Sequence, residues 1–325
     1  GLVFPVWTNH GDRDNRQNIG AAAYMQGDDP ASDAYHADLM RAAGVRFLHQ
    51  AKLQATAGLA TPTTETQLAD GGFIHTFPRM TTLMDDEAAM RRALSFGGRA
   101  GRNISGRPYA QVWATRLLDA QLSQQTLDHI TKAGLFLVIG QHLGDQATLL
   151  DLDPAAEAAF RRIADYQDRG LILTTRVSRL LRYAVNRESA IWRVLSTEDG
   201  PVIDVTALAD KVDHHRMPKL EDLRGFSFDA PKGARIALGG RLIAASEIVR
   251  TPASGLPEGR ETVSVRWHAV DTTDHSADFR RSNRYIDLSG FGIGYPERER
   301  LRALNGHALA WLEEAKTGRF KDANA

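Results

Sequence analysis

The chain has no cysteine. That excludes a disulfide framework, a zinc ribbon, an iron–sulfur cluster and a cysteine nucleophile. It also lacks charge of one sign, since 40 Lys and Arg balance 40 Asp and Glu. Nucleic-acid binders carry a basic excess or stripe, so no nucleic-acid partner is expected. No apolar run approaches the ~18 residues of a membrane-crossing helix, so no membrane span is expected. There is no P-loop, and Gly140-Gln141-His142-Leu143-Gly144 is not the dinucleotide fingerprint. No fixed-period repeat is present, which argues against a solenoid. The opening Gly1-Leu2-Val3-Phe4-Pro5-Val6-Trp7 has neither the charged start nor the long apolar stretch of a signal peptide; it reads as a strand entered at once.

What remains is ordinary for a soluble protein: 325 residues, 42% hydrophobic and 25% charged. That length suits about two domains and a sizeable apolar core. Up to about residue 188 the pattern alternates strands and helices. Strands are expected at 2–7, 45–49, 72–77, 135–139 and 171–173, and helices at 33–43, 85–96, 123–133, 154–169 and 175–186. Asp153-Pro154 reads as an N-cap followed by proline in the first turn, and Gly134 and Gly170 read as helix stops. Such alternation, with strongly apolar strands such as 135–139, predicts an α/β unit with parallel strands buried on both faces. From about 189 onward, short β-type segments punctuated by glycine predict a β-rich module, with a hairpin at Ala237-Leu238-Gly239-Gly240-Arg241-Leu242. A terminal helix is expected at 297–316.

In parallel α/β folds, functional residues collect at the carboxyl ends of strands. His10, His49, His75 and His142 all fall at or near such ends. The densest polar cluster is Asn9-His10-Gly11-Asp12-Arg13-Asp14-Asn15-Arg16-Gln17-Asn18, directly after the first strand. His10 and Asp14 are four apart, so one helical turn would place them on one face. Imidazole with carboxylate suits zinc, manganese or cobalt, and Asp12 or Asn15 could orient the imidazole. The same run is also what a solvated Asp/Asn turn looks like. His142 follows a buried strand and suits acid–base work, though a strand-end histidine bonded to backbone fits as well. His36 and Asp38 near a helix start are candidate substrate contacts or plain surface residues. Arg79 and Arg107 are candidate carboxylate or oxyanion partners or solvated loop residues. The pair His214-His215 reads as linker.

The ordered set Asn9-His10-Gly11-Asp12-Arg13-Asp14-Asn15-Arg16-Gln17-Asn18-Ile19-Gly20, Gly27-Asp28-Asp29-Pro30, Tyr35-His36-Ala37-Asp38-Leu39, Val138-Ile139-Gly140-Gln141-His142-Leu143-Gly144 and Gly170-Leu171-Ile172-Leu173-Thr174-Thr175 resembles divergent polysaccharide deacetylase-like proteins of the NodB-homology superfamily. The resemblance covers about residues 1–190. It implies a distorted (β/α) barrel over 1–188, incomplete at its N-terminal end, followed by a β-rich module over 189–325. It further implies a divalent metal that makes hydroxide available for attack on an acetyl carbonyl. On this resemblance His10 and Asp14 are the metal ligands, with a carboxylate in place of the family's second imidazole. On the same resemblance His142 is the catalytic acid; Asp12, from the polar cluster itself, is the remaining catalytic candidate. Asn15, His36, Asp38, His49, His75, Arg79 and Arg107 are the substrate-binding candidates. Two departures stand out. The family's Asp-Asp pair on the first strand has no counterpart and would fall upstream of Gly1, and Gly140 stands where leucine usually precedes the histidine. The expected activity is deacetylation of a polysaccharide or oligosaccharide. The alternatives are a non-catalytic carbohydrate-binding protein on a degenerate barrel, and a glycoside hydrolase or lyase using Asp12, Asp14, Asp38 or Asp145.

Overall fold

A computed structural model describes residues 4–9, 15–55, 58–80, 99–102, 108–111, 118–140, 153–252 and 258–269. The residues through His268 cluster as one compact unit. Its first sheet has the order β1 (Val6–Thr8), β2 (Phe47–Ala55), β4 (Phe73–Met80), β3 (Thr64–Gln67). The pairs β1–β2 and β2–β4 are parallel, and β3–β4 is antiparallel. Helix α1 (Ala37–Ala42) packs one face of this sheet: Ala37 and Met40 join Ile19, Val45, Leu48, Leu68 and Ile74 in one core. A two-stranded antiparallel pair, β5 (Arg99–Arg102) and β6 (Pro108–Gln111), follows.

Three helices come next, each ended by recognisable chemistry. Helix α2 (Leu118–Gln121) leads into α3 (Gln124–Ala133), where the Ser123 side chain accepts from Thr126 N–H and Gly134 closes the helix at φ 61°. Left-handed backbone there is what glycine allows without a Cβ clash. Helix α4 (Pro154–Asp168) starts on Asp153, whose carboxylate accepts from Ala155 N–H, with proline in the first turn as the sequence suggests. Together α2, α3 and α4 bury Leu118, Leu122, Leu127, Ala156, Ala159 and Tyr166.

Helix α5 (Val177–Ser189) is shared by two cores. Leu181 and Val185 pack with Phe47, Phe77 and Val138 on the second face of the parallel sheet. Tyr183 packs against the core of the β-rich half. That half has a five-stranded sheet ordered β12 (Arg241–Leu242), β11 (Arg235–Leu238), β8 (Gly200–Asp210), β7 (Ala190–Thr197), with β9 (His214–Arg216) also on β8. A three-stranded sheet, β10 (Ser227–Pro231), β14 (Arg260–Val265), β13 (Ile248–Thr251), completes it. Ile203, Val205 and Ile236 from the first sheet and Val263 and Val265 from the second share one core. The expected β11–β12 hairpin forms, with Gly239 and Gly240 at φ 53° and 83°. No helix among the described residues is long and apolar enough to cross a membrane.

The expected (β/α) barrel is not what forms. The described residues hold several small sheets, and none closes. Two of the strands that a barrel would need are missing. Residues 135–139 make only an isolated antiparallel bridge, Leu59 to Phe136, and 171–173 belong to no strand. The apolar run at 135–139 has another cause. Val138 faces the core of β2, β4 and α5, while Leu137 and Ile139 face the core of α2–α4. An extended segment squeezed between two layers needs apolar side chains on both sides, whether or not it joins a ladder. The antiparallel β3, unexpected from the sequence, then flanks β4 where a parallel neighbour would have continued the sheet. The helices expected at 85–96 and 297–316 lie outside the described residues.

The turn between β8 and β9 fastens the β-rich half onto the parallel sheet. Asp210 Oδ1 accepts from Val212 N–H and Asp213 N–H, both at 2.7 Å, and lies 3.5 Å from His75 Nε2 on β4. Arg46 Nε donates to Asp213 Oδ1 at 2.6 Å, and Lys211 N–H donates to Glu65 on β3 at 3.0 Å. Burial alone would raise the Asp210 pKa, but His75 and the N–H groups of Asp213 and Val212 outweigh it and hold the carboxyl below its usual range. Asp210→Ala therefore strips two backbone donors of their acceptor and leaves a buried imidazole without its carboxylate. We expect a loss of about 2–4 kcal/mol by urea denaturation, in a single transition that takes both sheets together. Lys211→Ala, at an exposed position in the same turn, should stay within about 0.5 kcal/mol. Two separate unfolding transitions in the wild type would contradict the coupling.

Candidate functional site

Strand alternation sorts the side chains of β2 and β4 onto two faces. Leu48 and Ile74 point to α1. Phe47 and Phe77 point to α5, and His49, His75 and Arg79 share that face by alternation. The parallel register sets Phe47 beside His75, and His49 between Thr8 on β1 and Phe77 on β4. The Phe47 and His75 rings stack with centroids 5.8 Å apart, and the His49 and Phe77 rings lie tilted at 5.6 Å. Arg79, two residues beyond Phe77, folds back so that its Nε donates to His49 Nε2 at 3.0 Å.

That hydrogen bond decides the state of His49. Its Nε2 is the acceptor, so in the neutral ring the proton sits on Nδ1. The imidazole is fully buried. Burial first, and the Arg79 charge second, push its pKa down to about 3. His49 is thus a neutral ring across the physiological range, with an N–H donor on Nδ1 that is buried and has no partner among the described residues. Burial also lowers the Arg79 pKa. Gly140 passes against this arginine: a Cβ there would sit 2.7 Å from Arg79 Nη1 and 2.9 Å from its Cδ. Glycine at position 140 leaves room for the guanidinium.

The loop after β1 is anchored by one side chain. Asn9 Nδ2 donates to Ile19 O at 2.6 Å, and Asn9 Oδ1 accepts from Ile19 N–H at 3.1 Å. Asp28, from Gly27-Asp28-Asp29-Pro30, is also a clamp: its two oxygens accept from Gly20 N–H and Ala69 N–H. Asn15 belongs to the same framework, its Oδ1 accepting from Gln17 N–H.

Of the sequence candidates, then, the structure brings His49 and Arg79 into contact, with His75 two register positions back along the sheet, facing Asp210. His36 is elsewhere. It packs on Trp7, whose side chain joins the α1 core, and its Nδ1 meets Ala34 O at 2.9 Å. Asp38 is exposed on α1, across the sheet from His49, and its carboxylate accepts from Leu39 N–H. His10, Asp12, Asp14, Arg107 and His142 lie outside the described residues. Among the described residues, no three His, Asp or Glu side chains form a group that could hold a metal. His49 does not fit the part of a ligand through Nε2, because Arg79 occupies that lone pair with a cation beside it. A zinc, manganese or cobalt ion on His10 and Asp14 therefore rests on the sequence.

The partner of His75 was not foreseeable from the sequence. Asp210 is 135 residues further on, in a turn whose acidic residues look like ordinary turn formers.

A buried neutral histidine has a signature in stability. The unfolded imidazole titrates near 6.5, and the folded one near 3. Between those values the unfolded chain holds a proton that the folded chain does not, so stability falls as pH drops through this window, by up to about 1.4 kcal/mol per unit. His49→Phe should flatten that slope. Urea midpoints of both proteins at pH 7 and pH 4.5 measure it, and parallel slopes would show that His49 is not held neutral.

Comparison with protein-family models, curated proteins and solved structures returns no match, so the functional reading stands on these residues.

Proposed function

We propose that the chain is a carbohydrate-active hydrolase, removing acyl groups from a polysaccharide or oligosaccharide at the carboxyl edge of β1, β2 and β4. The observation that carries the reading is the His49–Arg79 pair. A neutral imidazole, fixed in its Nδ1–H form by an arginine and stripped of water, is a preorganised donor for an oxygen on which negative charge develops. Arg79 is its positioning residue. Two neighbours add support. Thr8, level with His49, is two residues ahead of His10, and Gly140, against Arg79, is two residues ahead of His142. Two residues of chain span no more than ~7 Å.

In this reading His49 Nδ1–H is the donor for the acyl carbonyl oxygen, and because the ring is buried the substrate has to open the carboxyl edge of the sheet to reach it. Asp12 and His142 are the proposed groups for proton transfer to and from the attacking water and the leaving sugar oxygen or nitrogen. His49 itself moves no proton near neutral pH, since its ring neither gains nor gives one there. The glycosidase alternative keeps less support, because Asp38 is on the far side of the sheet from His49.

Acetate release from acetylated chitooligosaccharides and acetylated xylan tests the proposal. His49→Phe keeps an apolar ring in place and should cut kcat by about 10²–10³-fold with little change in KM. Arg79→Met should lower kcat and also move the acid limb of the pH profile upward, because the charge that depresses His49 is gone. Metal content of the purified protein, with His10→Ala alongside, reads the cation proposal separately. Full activity in His49→Phe would overturn the role given to His49. A wild type that binds these glycans but releases no acetate would point to the non-catalytic carbohydrate binder.

A further inference from the structure

A cleft of about 260 Å3 opens beside Pro5 at the amino end of β1, whereas His49 and Arg79 sit toward the carboxyl end of the same sheet. One wall is the exposed side of α5 and the residue before it: Arg176, Arg179 and Arg182. Residues three apart on a helix lie on one face, so Arg179 and Arg182 project together. The opposite wall includes Trp267, whose ring meets Tyr183 edge-on at 5.3 Å and presses so closely on Gly225 that a Cβ there would overlap it. The indole is therefore fixed in place.

The charges of this cleft do not balance. Among the described residues, four arginines line it against two carboxylates, Glu221 and Asp222. Both carboxylates are already engaged. Asp222 accepts from Arg216 at 2.7 and 3.2 Å and from Lys219 N–H, and its backbone oxygen accepts from Asn186. Glu221 accepts from Arg224 at 3.0 and 3.2 Å, and Arg224 also bonds Glu247. His268 lies 3.6 Å from Glu221. Burial, and then the Arg179 charge, lower the His268 pKa, so it adds no balancing chemistry of its own. The side chains of Arg176, Arg179 and Arg182 make no hydrogen bond or ion pair among the described residues, although the Arg182 charge helps to hold the Asp222 carboxyl down. Three guanidinium groups held on one side of a concave, aromatic-walled space repel one another until an anion joins them.

We propose that this cleft binds an oxyanion group, carboxylate, sulfate or phosphate, on a molecule no larger than a sugar unit or two, with Arg176, Arg179 and Arg182 as the anion ligands and Trp267 as the wall for its apolar face. Planar guanidinium groups grip two oxygens of such a group at once, which lysine cannot do. The site does not depend on the hydrolase reading.

Isothermal titration of the full chain with inorganic phosphate, inorganic sulfate and a glucuronate disaccharide tests it. We expect saturable binding of at least one of them that weakens with added sodium chloride. Arg179→Ala and Arg182→Ala should each weaken it about tenfold or more. Arg179→Lys should recover only part, and Arg161→Ala, on exposed α4 and already paired with Glu157, should change nothing. Tightest binding of the uronate would assign the oxyanion to an acidic sugar, and tightest binding of either inorganic ion would assign it to that group. All these arginines are at least partly exposed, so the melting temperature should be unaffected and report any misfolded variant. No binding of any of the three up to about 10 mM, or binding unchanged in Arg179→Ala and Arg182→Ala, would overturn the proposal.

Discussion

The carboxylate of Asp210 is where two otherwise separate sheets become one molecule. One oxygen organises the β8–β9 turn through two backbone N–H groups and faces the imidazole of β4. The turn then brings Asp213 to Arg46 and the Lys211 amide to Glu65, so β3, β4 and the residue leading into β2 are all gripped by one short turn. Helix α5 closes the other side of the joint, with Leu181 and Val185 on the parallel sheet and Tyr183 on the β-rich core. Asn186 at its end donates to Asp222 and accepts from Arg216. Buried polar groups of this kind are costly to strand, so the two halves hold each other in one arrangement.

Local chemistry was readable from the sequence where a short motif settles it alone. The Asp153-Pro154 cap, the Gly134 stop and the Gly239-Gly240 hairpin depend on neighbours only a few residues away, and all three form. The barrel failed for the opposite reason. Whether 135–139 joins a parallel ladder depends on what lies beside it, and apolarity reports burial rather than hydrogen-bond partners. His49 and Arg79 were both legible as candidates, but their contact was not, because strand register and an arginine bending back across it are tertiary facts. Asp28 and His36 carried the resemblance, yet one clamps loop amides and the other fills the α1 side of the sheet.

The two arginine environments make an instructive contrast. Arg79 is committed inward, where its charge adds to burial in keeping His49 neutral. The arginines of α5 face a cleft whose acids are already taken. The apolar stripe of that helix, Val177, Leu180, Leu181 and Ala184, repeats at helical spacing. Its opposite face, with basic residues at 176, 179 and 182, carries a pattern just as regular.

The clasp made by Asn9 has a consequence for how such a chain can change. Its side chain grips both the N–H and the C=O of Ile19, so the excursion between them leaves and re-enters the fold at one point. The entropic cost of closing a loop grows only slowly with its length, so a gate fixed at both posts tolerates a different fence. The second half of the polar stretch is tied down as well, since Arg16 O accepts from Gln26 N–H and Asn18 O from Gly27 N–H, so β1 and its neighbours keep their register through more than one fastening. A fold arranged this way separates the inheritance of shape from the inheritance of chemistry, and lets one drift while the other stays.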